Sequence, residues 1–347
     1  MAFLGAVSIN FPHSGGLRRA SRQLSGEMSK DEHDEQMRIR YGISRQVAAS
    51  VNDLAAPLLA DENSLYTFDE KDPRPVVNTF FQIFEKRLSL DSAEILGVWK
   101  QAWSAAGYNP RVLDLSHAEA HPDYVSIIKK LDEIPLGNNV PYDSACYLRH
   151  FAMASVGGGI MTDYDTLPLN MNKYSLLAGG DGGLPNNGTF TSFEGHVPSF
   201  VVGSAVEWDR VAKALIQEGI EAGKGVIVGD RKQLFSDMLA LRSLIHKHEV
   251  LTFEKPRLVA ELHFKVDQMR HGETSTEPLC DKTKNLMALH FSHSSVSDSY
   301  DVQANRNRAL IMAETVERLS EVCNGFPNFG FKTSTSTAVA ENAETSA

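Results

Sequence analysis

The chain has 347 residues, with 34 Lys or Arg against 44 Asp or Glu, and a formal charge of −10 at neutral pH. That acidic balance excludes a broad phosphate-reading basic face, so no nucleic-acid partner is expected. With 42% hydrophobic and 22% charged residues the composition is that of a globular protein, and no run approaches the ~20 apolar residues of a membrane span.

Residues 1–29 hold Arg18, Arg19 and Arg22 among scattered serines, with no acid before Glu27. They read as a targeting segment or a disordered arm, and Leu17-Arg18-Arg19-Ala20-Ser21 also matches a basophilic kinase pattern. Val47, Val51, Leu54 and Leu58 form one apolar stripe and predict a peripheral helix within 30–62. After Pro73 and Pro75 the β-branched and aromatic run 76–81 predicts a strand. A helix through Ile95, Leu96, Trp99 and Trp103 follows and ends at Gly107 and Pro110, with both tryptophans expected in the core. A second strand over 111–115 and a second helix over 117–131 complete a β-α-β-α order, which predicts an α/β layer with a mostly parallel sheet.

A third helix is expected from Pro141 to Ala154, stopped by Gly157, Gly158 and Gly159, with a short strand over 160–165 that ends in Asp163 and Asp165. Residues 176–189 are rich in Gly, Asn and Asp and read as a long surface loop, with Asn187-Gly188-Thr189 an N-glycosylation acceptor only in the secretory pathway. Beyond it the patterns predict a strand over 200–202, helices over 206–217 and 231–248, and strands near 258–262 and 286–291. A last amphipathic helix carries Ala309, Met312, Val316, Leu319 and Cys323, and 332–347 reads as a disordered tail. Cys146, Cys280 and Cys323 make no Cys-x-x-Cys pair, so buried free thiols and a reducing compartment are expected.

The chemistry concentrates at Asp163-Tyr164-Asp165. On an ideal strand these carboxylates face opposite sides, but where a strand turns into a loop both can reach one divalent ion, whose remaining positions suit phosphate oxygens. Glycines just before the strand would let backbone approach a ligand closely. His290, in Ala288-Leu289-His290-Phe291-Ser292-His293, reads as a satisfied histidine at a strand end, and His293, three residues on, would point to the opposite face of a regular strand, so both could bind one ion only across a turn. His117 and His121 lie one helical turn apart without a His-Glu-x-x-His pattern and read as a solvated helix face. Asp237 reads as a helix-surface carboxylate that could orient an acceptor.

Tyr147 to Asp165, with Arg149 followed by paired glycines and the Asp-x-Asp, resembles the sugar-nucleotide site of GT-A glycosyltransferases of the "DXD sugar-binding region" group. That group includes the initiating α-1,6-mannosyltransferases, the mannosyl-inositol-phosphorylceramide synthases and the clostridial glucosylating toxins. Val98-Trp99-Lys100-Gln101-Ala102-Trp103 with Asn109-Pro110-Arg111 is similar to the group's Trp-containing helix and following strand, so the likeness covers about residues 75–170.

The resemblance implies a GT-A nucleotide-diphospho-sugar transferase fold over 30–331, with a Rossmann-like nucleotide-sugar half at 75–170 and an acceptor half at 171–331. It implies a retaining hexosyltransferase that uses a nucleoside diphosphate sugar, a glycan, lipid or protein acceptor, and Mn2+ or Mg2+. By the same resemblance Asp163 and Asp165 are catalytic, Thr79, Phe80, Arg149, Gly158, Asp163 and Tyr164 bind the donor, and Asp163, Asp165 and His290 hold the metal. A Golgi location would follow, although no signal anchor is seen. The group usually has an Asp three residues before the Arg, where this chain has Cys146. A catalytically silent sugar-nucleotide binder and a haloacid-dehalogenase-type phosphatase, from Asp163-Tyr164-Asp165-Thr166, are the alternative readings.

Overall fold

The computed structural model describes residues 40–84, 87–137, 139–171, 183–225, 227–228, 231–232, 235–253, 258–265 and 277–331. The expected N-terminal arm over 1–29 and the tail over 332–347 lie outside these residues, as do residues 176–182 of the expected loop at 176–189. One compact unit runs from Tyr41 onward; of the preceding unit only Arg40 is described.

In chain order the elements are α1 (Arg45–Ala60), β1 (Val76–Phe80), α2 (Leu90–Ala105), β2 (Asn109–Leu113), α3 (Leu115–Glu119), α4 (Tyr124–Leu131) and α5 (Val140–Ser155). They continue with β3 (Gly158–Thr162), β4 (Thr166–Pro168), β5 (Thr191–Glu194), β6 (Val197–Ser204) and α6 (Ala205–Gly225). The short pair β7 (Ile227–Val228) and β8 (Arg231–Lys232) precedes α7 (Asp237–His246), β9 (Leu251–Thr252) and β10 (Val259–Glu261). Last come α8 (Glu277–Thr283), β11 (Ala288–His290), α9 (His293–Ser299) and α10 (Arg308–Val322).

A mixed six-stranded sheet in the order β2-β1-β3-β6-β5-β9 forms the centre. β2, β1 and β3 are mutually parallel, whereas β6 runs antiparallel to both β3 and β5. From β1 the chain moves to β2 on one side and then to β3 on the other, so the direction of winding reverses between β1 and β3. In an open α/β sheet such a reversal opens a crevice beyond the carboxyl ends of the two strands. A second sheet, β10-β11-β4, pairs β11 antiparallel to β4 and sets His290 opposite Thr166.

Period-two alternation divides the core. Met161 and Val201 join the cluster built with α5, α6 and α7, including Phe151, Trp208 and Leu241. Phe200 instead meets Trp103 of α2, whose Nε1–H donates to the Thr166 carbonyl, and Trp99 Nε1–H donates to Thr162 Oγ1. Both tryptophans are fully buried, as their helical spacing predicts. α1 lies on α2 so closely that a Cβ at Gly97 would meet Leu54 Cβ at 2.9 Å.

Several boundaries differ from the sequence reading. Pro122 breaks the expected 117–131 helix into α3 and α4, because proline cannot supply the interior N–H. Ser236 accepts from Leu239 N–H and starts α7 at Asp237, while Arg231 and Lys232 are in a strand. The strand expected at 160–165 is displaced: Gly158 and Gly159 belong to it and the two aspartates follow its end. Cys280 and Cys323 are joined as a disulfide that ties α8 to the end of α10, which corrects the expectation of free thiols for these two and removes the argument for a reducing compartment, while Cys146 is free.

The glycines at the start of β3 also act differently from the expectation of a ligand-facing role. Gly158 has φ +78°, and a Cβ there would lie 2.5 Å from Ala205 N and 2.7 Å from the Gly203 carbonyl oxygen. The missing side chain admits the β6–α6 backbone, at the strand end opposite the aspartates. Gly157 has φ +96° but open space around it. Gly158→Ala should therefore cost about 3 kcal/mol, against about 1 kcal/mol for Gly157→Ala, in urea denaturation. Equal costs would mean that positive φ alone, not the close approach, sets the requirement.

Candidate functional site

The end of β3 is pinned by its neighbours. Asp163 N–H donates to the Ser199 carbonyl of β6 (2.9 Å), Thr166 N–H to the Asp163 carbonyl (2.9 Å), and Phe291 N–H to the Asp165 carbonyl (2.8 Å). Together with the Trp99 and Trp103 donations at Thr162 and Thr166, these bonds turn the chain sharply at Tyr164. The turn resolves the alternation problem: Asp163, Asp165 and His290 each offer one ligand atom, all within 4.8 Å of one another. β11 delivers His290 through its register with β4.

Three cationic groups converge on the two carboxylates. Arg149, in the interior of α5, donates from Nη1 to Asp163 (2.8 Å) and from Nη2 to Asp237 (2.6 Å), and its Nε–H donates to the Cys146 carbonyl (3.1 Å). Arg308, the first residue of α10, donates to Asp165 Oδ2 (2.9 Å) and lies 3.0 Å from His293 Nδ1. His290 Nε2 faces Asp165 Oδ1 at 3.4 Å, and its Nδ1 lies 2.9 Å from Glu194.

These environments push the two aspartates apart. Burial raises Asp163 above the usual carboxylate range, against Arg149 and reinforced by Asp165. Burial also acts to raise Asp165, but His290 and Arg308 outweigh it and hold the carboxyl below its usual value. For His290 burial opposes the charge, yet Asp165 and Glu194 hold the ring well above its ordinary pKa. Two carboxylates of divergent acidity beside a fixed imidazole are suited to binding a cation or handling a proton.

A cavity of about 440 Å³ opens beside the pair. Phe80 at the end of β1, with Phe81 and Phe84 of the segment after it, forms one wall, and Tyr142, Cys146 and Arg149 of α5 form another; Asp163, Tyr164 and Asp165 also line it. Tyr164 meets Phe81 edge-on at 5.5 Å between ring centroids. The cavity thus occupies the crevice at the carboxyl ends of β1 and β3.

Of the residues singled out by sequence, Phe80, Arg149, Asp163, Tyr164 and Asp165 line this cavity, and His290 sits behind Asp165. Thr79 and Gly158 are not among the lining residues: Thr79 is wholly buried within β1, and Gly158 serves strand packing at the other end of β3. His293 begins α9 and reaches the cavity beside Arg308, whereas His290 turns toward Glu194. Asp237 is 3% exposed and locked to Arg149, so it is not a surface carboxylate. His117 caps α3 with Asp114, while His121 is buried and pairs with Asp209, so the two are not one solvated face. His121, Asp123 and Asp209 also cluster, but Lys213 bridges both aspartates, at 2.8 Å and 3.0 Å.

Three site residues lay outside the sequence reading. Arg308 stands four residues before Met312 and eight before Val316, a charge on the apolar stripe of the last helix, and that is the signal that marks it. Glu194 occupies a buried position of β5, and Ser199 Oγ–H donates to its carboxylate. Neither Glu194 nor Ser199 carries a motif, and their role appears only when β5, β6 and β11 are placed together.

The model of a family described as "Domain of unknown function (DUF8765)" matches residues 54–296, and the chain belongs to that family. No curated protein matches the chain.

Cys146 lines the cavity, but burial and the nearby Asp237 push its thiol up to about 12. At pH 8 the thiolate fraction is then roughly one in ten thousand. Iodoacetamide at that pH should leave Cys146 unmodified in the folded protein and label it rapidly after denaturation, read by mass spectrometry; fast labelling of the folded chain would contradict this environment.

Proposed function

We propose that this member of the family is a metal-dependent glycosyltransferase of GT-A architecture, which moves a hexose from a nucleoside diphosphate sugar to an acceptor hydroxyl. Retention of anomeric configuration belongs to the proposal by resemblance alone. The observation that carries the reading is the meeting of Asp163, Asp165 and His290 at the carboxyl end of β3, although His290 lies far along the chain. Support comes from the reversal of winding between β1 and β3 and from the cavity beside it, which is the size of a small-ligand site.

The donor set fits a divalent ion. With Nδ1–H given to the Glu194 carboxylate, Nε2 is aimed at an oxygen of Asp165 at 3.4 Å, and the proton held between those two atoms is the one that a cation would replace. Asp163, Asp165 and His290 would hold Mn2+ or Mg2+, which would supply Lewis-acid stabilisation of the departing diphosphate. To serve as ligand His290 must give up its second proton, and Asp165 must release Arg308 or share an oxygen with it. Arg149 stands at the cavity wall with a guanidinium able to pair with phosphate, while Asp237 keeps its other arm fixed. Phe80, Phe81 and Tyr164 give the cavity apolar and aromatic surface that excludes water from one side of a bound donor. A glycan, lipid or protein would approach as acceptor from the open side.

The ion pairs Arg149–Asp163 and Arg308–Asp165 favour a second reading, in which arginines neutralise the carboxylates permanently and the protein binds a sugar nucleotide without turning it over. Thermal unfolding of the wild type and Asp165→Ala with UDP- and GDP-sugars, with and without Mn2+, separates the two. The transferase reading predicts a rise of about 4 °C at a hundredfold excess over Kd for one nucleotide, requiring Mn2+ and lost in Asp165→Ala. A metal-independent rise that survives the substitution supports the silent binder, and no shift with any nucleotide sugar contradicts both.

A further inference from the structure

We infer that Glu194 is a positioning residue that fixes the tautomer and orientation of His290, so that Nε2 is presented to a divalent cation shared with Asp165; the inference rests on the metal-binding reading above. Both side chains are only 6% exposed, and Glu194 Oε2 lies 2.9 Å from His290 Nδ1. With a Glu194 oxygen at hydrogen-bonding distance as the acceptor, Nδ1 carries the proton and the other ring nitrogen is turned to Asp165. Glu194 is itself held: Ser199, on the neighbouring strand β6, donates its hydroxyl to the same carboxylate oxygen. The result is a chain of contacts from Ser199 through Glu194 and His290 to Asp165, which crosses from the six-stranded sheet to the three-stranded one.

A carboxylate behind a ligating imidazole sets which nitrogen is free, orients the ring and raises its basicity, and removal of such a partner typically weakens metal binding about 10–100-fold. Glu261 is the competing candidate, since it pairs in register with His290 and its carboxylate lies in the same neighbourhood. It accepts from Ser292 Oγ at 2.8 Å, whereas Glu194 makes the direct contact with the ring. A carboxylate whose role is only to satisfy a buried histidine would leave metal affinity unmoved.

Calorimetric titration of Mn2+ into the full chain tests the inference with the wild type, Glu194→Ala, Glu194→Gln and Asp165→Ala, each first checked for cooperative unfolding. Glu194→Ala should weaken Mn2+ binding about 10–100-fold; Glu194→Gln, whose amide oxygen can still accept from Nδ1–H, should weaken it less, and Asp165→Ala should abolish it. Wild-type binding that is lost in Asp165→Ala but kept within about threefold in Glu194→Ala overturns the role of Glu194 and leaves the metal reading intact. No Mn2+ binding by the wild type overturns the metal reading and this inference with it. If the Glu194 variants do not fold, nitrogen NMR of the imidazole rings in Zn2+-loaded wild type decides. His290, identified by the signal lost in His290→Gln, should be protonated at Nδ1 with the metal on Nε2, and the reverse tautomer or an unliganded ring would overturn the proposal.

Discussion

Two carboxylates placed two residues apart at a buried strand end repel each other and lose hydration, so the fold must bring positive charge to them from elsewhere. Arg149 comes from α5, His290 from β11 and Arg308 from α10, each at hydrogen-bonding or near-contact distance. Removal of one partner of such a buried pair leaves the other charge uncompensated, typically at a cost of about 3–5 kcal/mol. The second sheet has the same logic, since β4 continues directly from the acidic turn and recruits β11. The Cys280–Cys323 disulfide ties the helix that precedes β11 to the far end of α10, the helix that delivers Arg308.

The same charges define what the cavity can take. One wall carries aromatic side chains from the segment after β1, and the other carries Arg149 beside Asp163. A ligand with an apolar or planar part and an anionic part matches this division, as a nucleoside diphosphate does. Cys146, which stands where the resembling enzymes carry an acid, contributes its backbone carbonyl to Arg149, while Asp237 supplies from α7 a carboxylate to that arginine.

The local patterns that carry the fold were legible in the sequence. β1, α2, β2 and α5 follow from apolar and β-branched runs and from the glycines and prolines that end them. Asp163 and Asp165 stood out through spacing and His290 through the resemblance alone, and the structure brings these three together. The remainder depends on contacts that no local pattern encodes. Gly158 reads as a ligand-facing glycine until the backbone of β6 is seen against it. Cys280 and Cys323 read as free because nothing in their spacing reveals that α8 and α10 meet. Asp237 reads as a helix-surface carboxylate, and Glu194 stands in no motif, because their burial arises from tertiary packing alone.

The central claim is that Asp163, Asp165 and His290 form a divalent cation site at the carboxyl end of β3. Anomalous diffraction at the manganese edge, from crystals grown with Mn2+ and a nucleoside diphosphate, addresses it most directly. The account predicts one strong peak bonded to Asp165 and to His290 Nε2, with the diphosphate completing the shell from the cavity side. A peak only at His121 and Asp209, or no peak beside Asp165 while Arg308 keeps its ion pair, would contradict it.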